Sequence, residues 1–324
     1  MNKKLKIAFM APETKGGPYY IYKEIVEGLN KKYWNQVEAL FFNSKKDWLK
    51  LHFTKFDAIF SVIPFLFKPL RTKKFVFNLH WNYKIERKKK WLWVKLLYLV
   101  PWNFKFSDKI WLVSKFLANK LWIKDKYKDK IIIIPNFIDT KEYGFWDKKY
   151  NNNIYKILTI TSFKFYDKGR WIINLWNVIK KLWEKTNKKV IWTIVWNDNS
   201  RNFQRIKKEF DKITFPDNVK IIWKWWLDKE NIKQELKNND YFLYWTYLDN
   251  FPWVILEAIA SKMKVLVNDF ESFKYLLPEN IICKNENEMV EKILKNSIKK
   301  VDIWKFKKEN TLKKIYNLIT QKRA

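Results

Sequence analysis

Short apolar runs separated by amphipathic stretches recur along almost the whole chain, and this alternation limits the fold more than any other feature. Ile7-Ala8-Phe9-Met10 reads as a buried strand, followed by a loop with Gly16, Gly17 and Pro18 and then a helix through Leu29. Further strand-like runs lie at 37–42, 58–62, 75–79, 110–113 and 131–134, with a helix at 114–122. Runs that are apolar at nearly every position, not at alternate ones, belong to parallel sheets covered on both faces. The polar segment 141–153, with Gly144 and three consecutive Asn, breaks the pattern as a linker would. Strands then resume at 156–161, 190–195, 219–222, 241–244 and 265–268, with helices at 170–183, 201–210, 229–237 and 252–261. The expected fold is α/β: two Rossmann-like doubly wound domains, 1–145 and 146–303, facing a central cleft. A last helical stretch, 304–324, is free to pack back on the N-terminal domain. In such sheets ligands bind beyond the C-terminal strand ends.

The 324 residues suffice for two cores. Lys and Arg number 66 against 33 acidic residues, a net charge of +33. That excess suggests nucleic acid or anionic lipid. The basic residues are mostly Lys and are spread along the chain, which is the pattern of a solvated surface. The one cysteine, Cys283, excludes an internal disulfide and fits a reducing compartment. Only two histidines occur, His52 and His80, so a histidine-rich metal site is excluded; His52 is expected at the surface. The first apolar run is too short for a signal segment, and no run approaches a membrane span. A cytoplasmic protein is expected. At 87–100 a basic run adjoins an apolar, aromatic stretch. It reads either as contact with the inner face of an anionic membrane or as a buried helix with a solvated start.

Five glycines and 20 tryptophans are an unusual pair of counts. Globular chains carry about 7% glycine, and the two types together come to roughly that share. Trp196 precedes Asn197-Asp198-Asn199, where a tight turn favours glycine. Trp223, Trp225 and Trp226 crowd one expected strand-to-helix loop, and Trp253 falls in the first turn of a helix. Some bacterial lineages read UGA as glycine and others as tryptophan, so translation with the wrong table gives this pattern. The other reading is a Trp-rich protein or a Trp-rich groove.

Asp249-Asn250-Phe251-Pro252-Trp253-Val254-Ile255-Leu256-Glu257 directly follows an expected strand and its loop. Pro252 suits the first helical position. A helix start offers N–H groups and the positive end of a macrodipole to an anion such as a diphosphate. Glu257, about one turn further on, suits ribose hydroxyls, and Asp249 suits sugar hydroxyls.

The segment resembles the Glu-x7-Glu motif of family 4 retaining glycosyltransferases, with Asp249 in place of the first Glu and Ala258-Ile259-Ala260-Ser261 continuing the match. Four other segments are similar to that family in order. Gly16-Gly17 fits its glycine-rich first loop. His80-Trp81-Asn82 fits the H-G-D of its acceptor domain, and Ile134-Pro135-Asn136-Phe137-Ile138-Asp139 fits its I-P-N-G-V-D. Thr161-Ser162-Phe163-Lys164 with Asp167-Lys168-Gly169 fits the segment opening its donor domain, where Ser162 stands at the position of an Arg.

The resemblance implies a GT-B fold and transfer of a sugar from a nucleotide-sugar donor, with UDP or GDP as carrier, to a saccharide or lipid-linked acceptor. Residues 1–145 become the acceptor domain and 146–303 the donor domain. His80 and Asp249 would orient the sugar. Lys168, Lys164 and the backbone of Asn250, Phe251, Pro252, Trp253 and Val254 would hold the donor phosphates, Glu257 the ribose, and Gly16 and Gly17 the phosphate and acceptor loop. Neither metal nor cofactor is implied. Two alternatives stand beside it: a basic nucleic-acid-binding protein, which needs a contiguous basic and aromatic face, and a nucleotide-sugar epimerase or hydrolase of the same architecture.

Overall fold

The computed structural model describes residues 3–12, 17–43, 47–80, 98–143, 148, 150, 153–163, 166–196, 201–225 and 227–321. It divides into two compact units, one of residues 1–137 with 306–324 and one of residues 138–305.

The first unit holds six strands: β1 (Leu5–Ala11), β2 (Val37–Asn43), β3 (Phe56–Ser61), β4 (Thr72–Leu79), β5 (Lys109–Leu112) and β6 (Ile131–Ile133), in the order β2-β1-β3-β4-β5-β6. Every pairing is parallel. The cause lies in the sequence, because runs such as Ile7 to Ala11 and Phe75 to Phe77 are buried at every residue and can satisfy their backbone only inside a covered sheet. The helix Gly17–Lys32 buries Ile21, Tyr22, Ile25 and Leu29, the spacing of one helical face. The terminal helix Lys308–Thr320 packs against it. A Cβ placed on Gly28 would lie 2.7 Å from Leu312 Cδ1, so glycine sets how closely these helices approach. Lys308 pairs with Glu24, and Tyr33 stacks on Tyr316 at 4.1 Å.

His52 is not at the surface. It is buried in the helix Trp48–Phe53, its ring 5.2 Å from that of Phe65 and 4.6 Å from that of Phe67. Aromatic neighbours brought in from the segment after β3 cover it, and local sequence does not display them.

The second unit repeats the plan with β7 (Ile154–Thr161), β8 (Lys189–Trp196), β9 (Val219–Trp225), β10 (Tyr241–Tyr244), β11 (Lys264–Asn268) and β12 (Ile282–Cys283), in the order β12-β11-β10-β7-β8-β9, again all parallel. The helix Ile172–Glu184 buries Ile172, Leu175, Val178, Ile179 and Leu182 into the core beside this sheet. Trp223 and Trp225 belong to β9 and not to a loop, because β9 runs on alongside β8 as far as the Trp196–Trp225 pair; Trp226 lies outside the described residues.

No helix among the described residues is long and apolar enough to cross a membrane.

Candidate functional site

The acidic segment sits at the C-terminal end of β10. Two reciprocal hydrogen bonds fix its loop: Thr246 N–H donates to Asn268 Oδ1 at 2.9 Å, and Asn268 Nδ2 donates to Thr246 O at 2.9 Å. The Thr246 hydroxyl in turn accepts from the N–H of Leu248 at 3.1 Å and of Asp249 at 3.3 Å. This turn places the Asp249 carboxylate against the Tyr244 hydroxyl, which donates to it. Burial first, then the Asp249 charge, raises the Tyr244 pKa well above its ordinary value, so the phenol stays a donor.

The helix Trp253–Ala260 follows. Pro252 takes its cap and not its first helical position, since its ψ of 137° is still extended. Phe251 is buried and anchors the approach, which leaves only its backbone for a ligand, and Ser272 donates to the carbonyl of Asn250. As at any helix start, the first N–H groups lie outside the intrahelical ladder and point along the axis. Trp253 and Val254, both half-buried, occupy that first turn. One turn on, Glu257 Oε1 accepts from the Tyr143 hydroxyl at 2.8 Å. Burial raises the Glu257 pKa, and the Tyr143 hydrogen bond opposes that rise. The site therefore holds two carboxylates, each steadied by a tyrosine, on either side of a helix start. A polyol diphosphate suits such a site: hydroxyls for the acids and phosphate for the helix.

The remaining candidates fall as follows. Lys168 lies in the four-residue helix Tyr166–Gly169; its side chain, like all of Lys164, lies outside the described residues. That helix packs closely on Phe163, for a Cβ on Gly169 would meet the Phe163 ring at 2.2 Å. Ser162 is half-buried just past β7. Gly16, and most of the segment 87–100, also lie outside the described residues, whereas Gly17 opens its helix. His80 directly follows β4 in the first unit, its ring 6.3 Å from Trp111, and burial pushes its pKa down to about 4, so it is neutral near pH 7. The structure thus gathers residues 249–257 in the second unit, while His80 and Gly17 belong to the first.

Sequence reasoning missed Tyr143, Tyr244 and the Thr246–Asn268 lock. It also passed over Arg170, whose guanidinium lies 4.4 Å over Trp171, itself edge-on to Tyr247 of the acidic loop at 4.6 Å. Arg170 directly follows Lys168-Gly169, and an arginine beside a phosphate-type motif was a legible signal.

Two parallel-sheet α/β units, one with a helix start flanked by acids, define the Rossmann-like architecture of GT-B glycosyltransferases. The family model for glycosyl transferases group 1 matches residues 150–311, half of the chain, and the chain belongs to that family. No curated protein matches by sequence. Among solved structures the chain is similar to the lipopolysaccharide outer core galactosyltransferase WaaB, at 14% identity and a TM-score of 0.68 over 97% of this chain and 99% of that one. It is also similar to a glycosyltransferase from Rickettsia africae, at 14% identity and 0.65 over 99% and 100%. Anabaena HepE in complex with UDP-glucose matches at 13% identity and 0.63 over 98% and 99%. At such identities the likeness speaks for the fold.

Proposed function

We propose that the chain transfers a sugar, with retained anomeric configuration, from a UDP- or GDP-sugar to a saccharide or lipid-linked acceptor in cell-envelope polysaccharide synthesis. The observation that carries this reading is the helix start at Trp253 set between Asp249 and Glu257, each acid held by a tyrosine hydroxyl. The bond from C1 of the sugar to the β-phosphate oxygen breaks, and a bond from C1 to the acceptor oxygen forms on the same face. The acceptor proton passes to the departing phosphate oxygen. The helix N-terminus, Lys168 and Lys164 stabilise the charge that builds on the diphosphate. Asp249 orients sugar hydroxyls, and Glu257 holds the ribose. The reading assigns no step to a metal. UDP-glucose bound in the Anabaena relative supports a uridine donor.

The test is product analysis by NMR with UDP- and GDP-sugars and an oligosaccharide acceptor. An α-linked product from an α-linked donor is expected, and Asp249→Asn should lower kcat by about 10²-fold or more. Free sugar or an epimer without transfer overturns the reading.

We further infer that several tryptophans stand where the living cell inserts glycine. Trp122 supports this: at φ 60° it occupies the left-handed position just after the helix Lys115–Lys120, with its side chain 86% exposed. The bonds Ile123 N to Ala118 O at 3.2 Å and Trp122 N to Asn119 O at 3.0 Å complete the helix-ending motif that glycine favours. Lys262 and Asn296 hold the same conformation, so a side chain is tolerated there; a bulky indole is what departs from the rule. The coding sequence decides it: UGA is expected at 122, 196 and 253, and UGG at all three ends the idea.

A further inference from the structure

The first unit carries an exposed apolar surface that the transfer reaction does not use. Leu49 and Phe53, four residues apart, share one face of the helix Trp48–Phe53 and point outward, opposite the buried Leu51 and His52. Leu66, Phe67 and Leu70 project from the segment joining β3 to β4. All five are between 47% and 69% exposed. The two groups adjoin. The His52 ring lies tilted beside that of Phe67 at 4.6 Å, and the Arg71 guanidinium donates to the carbonyl of Phe53 at 3.2 Å. Single exposed leucines are ordinary, but five large apolar side chains on two adjoining elements mark an interaction surface.

The charge around it selects the partner. Lys50 and Arg71 stand exposed on these same elements, and Lys55 is exposed in the turn between the helix and β3. The nearby acids are committed elsewhere: Asp57 to Lys73 at 2.6 Å, Asp108 to Lys68 at 2.7 Å, and Asp47 to the N–H of Asn43 at 3.0 Å. A second copy of a chain with net charge +33 would be repelled. Nucleic acid calls for stacking platforms, and three of the five side chains are leucines.

We propose that this surface docks the protein on an anionic phospholipid bilayer, the five side chains entering the interface and the Lys and Arg rim meeting lipid phosphates. The proposal is independent of the assigned reaction and uses none of its residues.

Flotation of the purified full chain with phosphatidylglycerol vesicles and with phosphatidylcholine vesicles tests it. Binding to the anionic vesicles, weak binding to the neutral ones, and a loss on the order of tenfold or more in the triple variant L66D/F67D/L70D are expected. Lys50→Glu with Lys55→Glu should weaken anionic-vesicle binding while keeping the apolar surface and the Arg71–Phe53 bond that joins it, which separates charge from apolar contact. Thermal unfolding of both variants should match the parent. Equal flotation of parent and triple variant overturns the proposal. So does a dimer in the parent, or tight single-stranded DNA binding, that the triple variant abolishes.

Discussion

Four buried indoles divide by where their nitrogen points. Trp111 in β5 gives its N–H to Ile134 O at 2.7 Å, and Trp192 within β8 gives its N–H to Thr159 Oγ1 at 3.0 Å. Trp196 at the end of β8 and Trp245 just past β10 are also buried, yet neither indole nitrogen has a hydrogen-bond partner among the described residues. Trp196 instead stacks on Phe203 at 3.5 Å and meets Trp225 edge-on at 4.3 Å. Inside the strands, then, tryptophan is accommodated as a polar-tipped core residue. At the strand ends, where a ligand is expected to sit, it fills space with its donor stranded, at a cost of about 1–3 kcal/mol. The strand interiors agree with their sequence at every level, and the strand ends do not.

Substitution by glycine at the two kinds of position breaks or sharpens this contrast. Trp111→Gly removes a fully buried, hydrogen-bonded side chain and should cost about 3–5 kcal/mol, measured by denaturant unfolding. Trp196→Gly also opens space but frees no buried acceptor and removes a stranded donor. Its cost should be smaller by about 1–3 kcal/mol. Equal losses would abolish the distinction between strand interior and strand end.

Trp253→Gly should act on binding. The indole occupies the first turn of the helix proposed to receive the diphosphate, and bare backbone there allows phosphate to approach the N–H groups. The donor KM should fall by roughly tenfold, about the 1.4 kcal/mol expected of one added charge-assisted hydrogen bond. An unchanged KM would mean that the indole does not obstruct the site. Trp122→Gly should raise stability by about 1 kcal/mol, because a left-handed residue with a Cβ carries strain that glycine lacks. A loss there would show that the exposed indole makes a contact worth more than the strain.

Much of the fold was legible because it rests on local patterns. The continuous apolar runs gave eleven of the strands to within about three residues at either end, and the buried stripe of the helix Ile172–Glu184 was visible in its spacing. Strand β12 was missed: only two residues long, it shows no period. The acid spacing of Asp249 and Glu257 was legible as well, since both lie on one segment. What holds them was legible only in part. Tyr244 stands five residues before its partner, but the Tyr143–Glu257 bond spans 114 positions and exists only because the second unit folds the start of its chain against that helix. The surface expected for His52 failed for the same reason: Phe65 and Phe67 cover it after a strand intervenes.

The smallest expected effect concerns the charge on Glu257. Burial raises its folded pKa above the ordinary 4.5, so the folded state binds the proton more tightly than the unfolded chain. By linkage, stability then rises as pH falls through the folded pKa toward 4.5, and at neutral pH the ionised carboxylate weakens the fold. Glu257→Gln imitates the protonated form and can still accept from Tyr143. It should therefore raise the unfolding midpoint at pH 7 and lose that advantage as the pH drops toward 4, while the donor KM worsens by about tenfold through the weakened ribose contact. A stabilisation that persists unchanged at low pH would assign the effect to packing and not to charge. A destabilisation at pH 7 would mean that the Tyr143 hydrogen bond to the carboxylate outweighs burial, and Tyr143→Phe should then lower the midpoint as much as Glu257→Gln does.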